Sequence, residues 1–117
     1  MTQALVADGR VVCPALSVAD TARTRMKGLL GRRSLGDGEG LLLRPAGSIH
    51  TAFMRFPIDA VFLDADMRVL RVASNLQPWR LAAQRGAKAV VELPAGAAEG
   101  MGLAVGLTLE LAEESLR

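Results

Sequence analysis

Residues 48–64 have the sequence SIHTAFMRFPIDAVFLD, and this stretch decides the predicted fold. It contains the single histidine of the chain and all three phenylalanines, and Trp79 is the other aromatic residue. The remaining apolar residues are mostly small aliphatics, so we expect this segment to supply the bulkiest part of the core. Polar groups beside a core must be satisfied and are often functional, so the polar residues of this stretch are the first site candidates.

The pattern predicts two strands in this stretch, at residues 49–54 and 58–63, separated by residues 55–57. Residues 64–66 are typical of a tight turn that leads into a strand at 67–73, which would form a hairpin with 58–63. Further short apolar runs between Gly, Pro and Asp residues predict strands at 11–18, 41–43, 89–93 and 107–111. Pro14 indicates that the first of these is an edge strand or contains a bulge.

One helix is predicted at about residues 20–31. Its apolar residues recur with helical spacing and cover about 100° of the surface, the width of a core-facing stripe; they are Ala22, Met26, Leu29 and Leu30. Asp20 is the expected N-cap and Gly31 the expected residue after the helix. A second short helix is predicted at about residues 95–101, with Pro94 at its start.

The chain is expected to form a single domain, residues 1–117, of the α+β class. Its 117 residues fit one domain, and half of them are hydrophobic, which is enough for a sizeable core. The predicted architecture is a mostly antiparallel, curled or barrel-like sheet with the 20–31 helix packed against it.

Cysteine usage and hydropathy predict a cytoplasmic protein without a membrane span. The single cysteine, Cys13, has no internal disulfide partner, which favours a reducing compartment. Its apolar neighbours predict a small buried hydrophobic side chain and not a nucleophile. The first ten residues lack the pattern of a signal peptide, and no apolar run approaches the roughly 20 residues of a membrane helix.

Four elements of the chain resemble, in order, the motifs of the DUF192 family. Residues 24–32, TRMKGLLGR, are similar to the family's RxxGLMxR helix, and residues 40–43, GLLL, to its GMLF strand. Residues 50–54 followed by 58–64 resemble its central hTxxM…iDvvFlD signature. Residues 90–96, VVELPAG, resemble its VLElpaG element. The resemblance extends from about residue 16 to residue 111.

This resemblance implies a compact, mostly antiparallel β structure with one or two helices. The family is of unknown function and widespread in bacteria and archaea, and the resemblance assigns no catalytic residue to this chain. Some members carry export or lipoprotein signals, which the first ten residues of this chain lack.

The candidate ligand-binding residues are His50, Arg55, Asp59, Arg25 and Lys27. Asp59 interrupts an apolar strand on the face of Val61 and Leu63, so its carboxylate needs a cationic or donor partner. Arg55 is one candidate partner, and the basic helix is another. The alternative is that Asp59 has a structural role and ties a turn or fixes strand register. A hydrogen-bonded structural role is likewise the alternative for His50.

The preferred function is a small non-catalytic binding module, with a polar, cationic pocket for an anionic small molecule or peptide. A second hypothesis is a hydrolase or isomerase that uses Asp59 and His50 as an acid–base pair, which would have to face one cavity. A third is a structural or assembly protein that binds a protein partner through an apolar patch near Trp79.

No cofactor or metal is predicted, because the spacing of His50, Asp59 and Asp64 matches no known metal motif. The chain carries a net charge of +2, and its basic cluster, Arg23 to Arg33, lacks interleaved aromatic residues. The composition therefore argues against nucleic-acid binding. The same cluster is also compatible with a solvated helix face.

Overall fold

The protein is described by a computed structural model that covers residues 2–113. It contains nine strands and two short helices within that range. In chain order they are β1 (Thr2–Ala7), β2 (Arg10–Ala19), α1 (Ala22–Lys27), β3 (Glu39–Leu43), β4 (Ser48–His50), β5 (Ile58–Leu63), β6 (Val69–Leu76), β7 (Leu81–Ala83), β8 (Ala89–Pro94), α2 (Ala97–Gly100) and β9 (Leu109–Glu113).

Seven of the strands form one sheet in the order β6-β5-β8-β3-β2-β1-β9, and β4 pairs with β7 in a separate ribbon. All pairs are antiparallel except β2 and β3. The two ends of the sheet approach each other, because Leu109 donates a backbone hydrogen bond to Met67, and Val69 to Leu107. The sheet is therefore a curled half-barrel, and the predicted α+β fold class is confirmed.

The curled sheet has a core on each face. The inner core includes Leu5, Leu16, Val61 and Leu93, and α2 contributes Ala98 to it. The outer core includes other residues of the same strands and of the elements that cover them, namely Leu29, Leu43, Ile49, Ile58, Phe62 and Val90. Strands β5 and β8 are consequently buried on both faces, which explains why their sequences are apolar apart from Asp59 and Glu92.

The predicted helix 20–31 is wrong in its length and in its buried face. Helix α1 ends after Lys27 and contains no buried residue; Met26 is 79% exposed. Gly28 ends it with φ +46°, so Leu29 reaches the outer core from the turn that follows. The N-cap is Thr21 and not Asp20: its hydroxyl accepts from the Thr24 N–H, and the Thr24 hydroxyl accepts from the Thr21 N–H.

The strand predicted at residues 49–54 is also too long, because β4 ends at His50. Phe53 adopts φ +65°, a left-handed conformation that a strand does not accommodate. Strands β1 and β7 were missed by the sequence analysis. Strand β5 matches its predicted bounds, and the second helix is present as the short α2.

Two local predictions, a bulge at Pro14 and a buried Cys13, are confirmed, and the predicted turn at residues 64–66 is present. The pairing of β1 with β2 shifts between Leu16 and Cys13, which places a bulge at Pro14, although β2 is not an edge strand. Asp64 caps the β5–β6 turn, since its Oδ1 accepts from two backbone N–H groups. Cys13 is fully buried, and desolvation raises the pKa of its thiol. No helix of the described residues is long and apolar enough to cross a membrane.

Candidate functional site

A cleft of about 260 Å³ lies on the outer face of the sheet, between α1 with its following turn and strand β4. Its wall is about as polar as it is apolar, and outer-core residues such as Leu29, Leu43, Ile49 and Met54 form the apolar part. The cleft exists because α1 lies at the surface and only the turn after Gly28 enters the core.

Three of the five predicted site residues line this cleft, and all three are basic types. Arg25 and Lys27 come from the last turn of α1, and His50 comes from the end of β4. Lys27 and His50 are exposed, whereas Arg25 is half-buried, and one of its guanidinium nitrogens lies 3.4 Å from the Asp20 carbonyl oxygen. The rim of the cleft therefore carries the positive charges of Arg25 and Lys27 from α1 and an imidazole from β4.

Glu92 is a lining residue that the sequence analysis did not select. It lies on β8 on the outer face, opposite Leu41 of β3 and Ala60 of β5, and its side chain is 4% exposed. Burial alone raises the pKa of its carboxyl from 4.5 to about 7, and neither a hydrogen bond nor a neighbouring charge contributes. Because no fully buried side-chain N or O atom of the described residues lacks a partner, the carboxyl oxygens must reach the cleft.

Asp59 lies on the other face of the sheet and does not line the cleft. Its Oδ1 accepts a 2.8 Å hydrogen bond from the Asn75 N–H, and its Oδ2 accepts a 2.9 Å bond from the Ala98 N–H. Asn75 lies in a bulge of β6 opposite Asp59, and Ala98 is in the first turn of α2. The partners of Asp59 are thus backbone donors that join three elements, and neither Arg55 nor the basic helix pairs with it.

The predicted pocket of His50, Arg55 and Asp59 is therefore not assembled. Arg55 is exposed in the loop between β4 and β5 and is not a lining residue of the cleft. Asp59 and His50 do not face one cavity, which removes the acid–base pair of the enzyme hypothesis. Within residues 2–113 no three His, Cys, Asp or Glu side chains cluster closely enough to hold a metal ion.

The rest of the basic cluster has separate surroundings. Arg32 forms an ion pair of 3.2 Å with Glu39. This guanidinium and, more strongly, the backbone N–H of Gly36 lower the pKa of the Glu39 carboxyl. Arg23 and Arg33 are exposed to solvent. Only Arg25 and Lys27 of the cluster therefore contribute to the rim of the cleft.

The Trp79 region forms a second surface feature. Trp79 and Phe53 are exposed, and their ring centroids lie 4.5 Å apart in an edge-to-face arrangement. Both residues have left-handed backbones, with φ of +66° and +65°. Thr51, which is fully buried, holds the two loops together: its hydroxyl donates to the Gln77 carbonyl at 2.6 Å and accepts from the Arg80 N–H at 2.8 Å. A protein partner at this surface stays a prediction.

Replacing Thr51 with Val should destabilise the protein by about 2 kcal/mol, because the buried hydroxyl loses its hydrogen bonds to the Gln77 carbonyl and the Arg80 N–H. Thr51→Ser is the matched control, since it keeps the hydroxyl and removes only a methyl group. Urea unfolding followed by circular dichroism gives the stability, and the fluorescence of Trp79 reports on the loop itself. Equal losses in the two variants would show that packing, and not the hydroxyl, holds the loops.

Comparison with known proteins identifies the family. The sequence profile of DUF192, described as Uncharacterized ACR, COG1430, matches residues 4–111, so the chain belongs to this family. A UPF0127 protein of Thermococcus sibiricus is 30% identical over 103 residues, which cover 84% of this chain and 66% of that protein. A UPF0127 protein of Pyrococcus furiosus is 41% identical over 64 residues, 54% of either chain. The chain thus spans between about half and two thirds of these relatives.

Two solved structures share the fold. A protein of unknown function from Novosphingobium aromaticivorans has a TM-score of 0.81 and 26% identity, and the match covers 94% of this chain and 84% of that one. A protein from Sinorhizobium meliloti, described as a candidate transcription regulator, has a TM-score of 0.81 at 23% identity, covering 93% and 91%. At that identity the second likeness shows the fold alone. The predicted family resemblance is confirmed, and the family is one of unknown function.

Proposed function

We propose that the chain is a small non-catalytic binding module and that its cleft takes an anionic small molecule or the anionic end of a peptide. The observation that carries this proposal is that Arg25, Lys27 and His50 line one concave space whose wall is partly apolar. Concave, mostly apolar spaces with a few convergent polar groups are the usual form of ligand sites.

The charges favour an anion. An arginine guanidinium binds a carboxylate through charge-assisted hydrogen bonds, and a lysine ammonium adds a point charge on a flexible stem. The cleft, at about 260 Å³, lies just below the usual size range of ligand sites, so it suits a metabolite or a single side chain. Its apolar wall favours a ligand with a short apolar body behind the anionic group.

The enzyme hypothesis has lost its proposed pair, because both oxygens of Asp59 bind backbone N–H groups outside the cleft. A cytoplasmic location and the absence of a nucleic-acid partner stay predictions from composition. We therefore retain the binding module with a corrected residue set: Arg25, Lys27 and His50 at the rim, and Glu92 in place of Arg55 and Asp59.

A titration of the ¹⁵N-labelled protein with acetate, butyrate, hexanoate and inorganic phosphate tests this function. We expect saturable shifts of the backbone amides around the cleft, with affinity rising along the carboxylate series as more apolar surface is buried. Arg25→Gln should raise the dissociation constant for hexanoate roughly tenfold, because a charge-assisted hydrogen bond is lost.

Arg23→Gln is the matched control, because Arg23 lies on the same helix, is exposed and does not line the cleft. It should leave the dissociation constant within twofold of the wild-type value. If no carboxylate and no phosphate gives saturable shifts at the cleft, the proposal is wrong. If Arg23→Gln and Arg25→Gln weaken binding equally, the attraction is diffuse and there is no site.

A further inference from the structure

Glu92 occupies a position where its neighbours are apolar and nothing in the fold uses its charge. The residues across from it in the two adjacent strands are Leu41 and Ala60, and Val90 precedes it on the same face. The side chain is nine-tenths buried or more, and no hydrogen bond or charge stabilises its ionised form. An unpartnered acid in such a place destabilises the fold when it ionises, so its presence calls for a functional explanation and not a structural one.

This carboxyl borders the cleft. The charged and titratable groups that face it there are Arg25 and Lys27 from α1 and His50 from β4, while β3, β5 and the following loops contribute apolar groups. The acid of α2, Glu99, belongs to the other face of the sheet. Every charged side chain that shares the cleft with Glu92 is therefore of a basic type.

These basic groups attract an anion, but the cleft is small. Glu92 lines the same cleft of about 260 Å³, so an anion that occupies the cleft shares this space with the Glu92 carboxyl. Two carboxylates held this close in an apolar space do not both ionise, and one of them keeps a proton that both share. Burial already favours the protonated form of Glu92, and a neutral carboxyl can donate one hydrogen bond.

We propose that Glu92 contacts the ligand as a neutral carboxylic acid and donates a hydrogen bond to the ligand's carboxylate, so that the cleft takes up one proton with each carboxylate it binds. The ligand class is a monocarboxylate with a short apolar body. This inference rests on the proposed function. No covalent bond changes; solvent supplies the proton whenever Glu92 is ionised in the free protein.

The test is the dissociation constant of hexanoate at pH 6 and pH 8, from the same amide titration. Hexanoate stays ionised over this range. Since the pKa of Glu92 is about 7, the binding-competent fraction falls about tenfold from pH 6 to pH 8, and the dissociation constant should rise about tenfold. Glu92→Gln carries an amide donor at every pH, so its dissociation constant should stay within twofold between the two pH values.

His50→Gln is the control, because it removes the imidazole from the cleft and leaves Glu92 in place. Most of the pH dependence should survive in His50→Gln and disappear in Glu92→Gln. Calorimetry in two buffers of different ionisation enthalpy should give an uptake of about 0.9 proton per hexanoate at pH 8 in the wild-type protein and none in Glu92→Gln.

The possible outcomes distinguish the role of Glu92 from the proposed binding function on which it rests. Binding with equal dissociation constants at pH 6 and pH 8, or binding that tightens as pH rises, overturns the proton uptake and leaves the carboxylate site. Failure of hexanoate to bind even at pH 6 overturns the role of Glu92, and the site itself is overturned if acetate, butyrate and phosphate also fail to bind.

Discussion

Replacing Glu92 with Gln is expected to stabilise the protein relative to wild type increasingly as pH rises, by about 3 kcal/mol more at pH 8 than at pH 4. Glu92 is 4% exposed, and burial raises the pKa of its carboxyl from 4.5 to about 7. A rise of that size corresponds to about 3 kcal/mol in the free energy of unfolding.

The sign follows from proton binding. Between pH 4.5 and pH 7 the folded protein keeps the proton of Glu92, and the unfolded chain has released it. The unfolded state binds fewer protons, so the free energy of unfolding of the wild-type protein falls as pH rises through this window and levels off above it. Because Gln does not ionise, the free energy of unfolding of the variant does not fall in this way as pH rises.

Urea unfolding of both proteins at pH 4, 6 and 8 measures the effect, because it gives the free energy of unfolding at each pH. Glu110→Gln, the same chemical change at an exposed position of β9, is the control and should alter stability by less than about 0.5 kcal/mol. An advantage of Glu92→Gln that is the same at all three pH values would show that Glu92 is not buried as an acid.

A stabilising variant at Glu92 would also bear on function. Residues that lower the stability of the fold are concentrated at sites where activity requires them, since selection only has to keep stability above a threshold. A carboxyl that destabilises the neutral-pH fold while bordering a cleft rimmed by basic groups is an example of this trade-off.

The sequence predicted β5 to the residue because its run, apolar except for Asp59, is bounded by Pro57 and the turn at Asp64. The helix was harder. Its apolar spacing suggested a core-facing stripe that included Met26, but Gly28 ends α1 before Leu29, and the stripe never forms. Periodicity alone does not distinguish a helix that continues from one that stops and sends its next residues inward.

The site was predicted in part for a similar reason. Arg25, Lys27 and His50 come together because α1 and β4 both border the outer face, which a charge pattern can only suggest. Glu92 and Asp59 have the same sequence pattern, because each is an acid that interrupts an apolar strand. For Glu92 that strand is the run from Ala89 to Pro94. Which of two such acids borders a cleft depends on the face of the sheet, and therefore on how the strands pair.

The sequence does not predict the hydrogen-bond partners of Asp59, because they are backbone groups. A bulge in β6 opposite Asp59 frees the N–H of Asn75, and the first turn of α2 leaves the N–H of Ala98 without a helical acceptor. The carboxylate accepts both. A sequence identifies side-chain donors such as Arg55, but it does not show which backbone donors the final topology leaves free.

Asp59→Asn should therefore destabilise the protein by about 3 kcal/mol. Asp59 is 1% exposed and uses one oxygen for each N–H donor. Asn offers one oxygen and one NH₂ group, so one of the two backbone donors faces another donor and stays unsatisfied in the core, and a charge-assisted hydrogen bond is lost at the other.

Asp64→Asn is a matched control, because Asp64 also accepts two backbone N–H groups, but through Oδ1 alone and near the surface. Asn can keep both of those bonds, so this variant should lose less than about 1 kcal/mol. Urea unfolding of the two variants side by side measures the difference. If both lose the same amount, the carboxylate charge and not the geometry of two separate acceptors is what Asp59 contributes; a loss confined to Asp59→Asn assigns it the structural role of joining β5, β6 and α2.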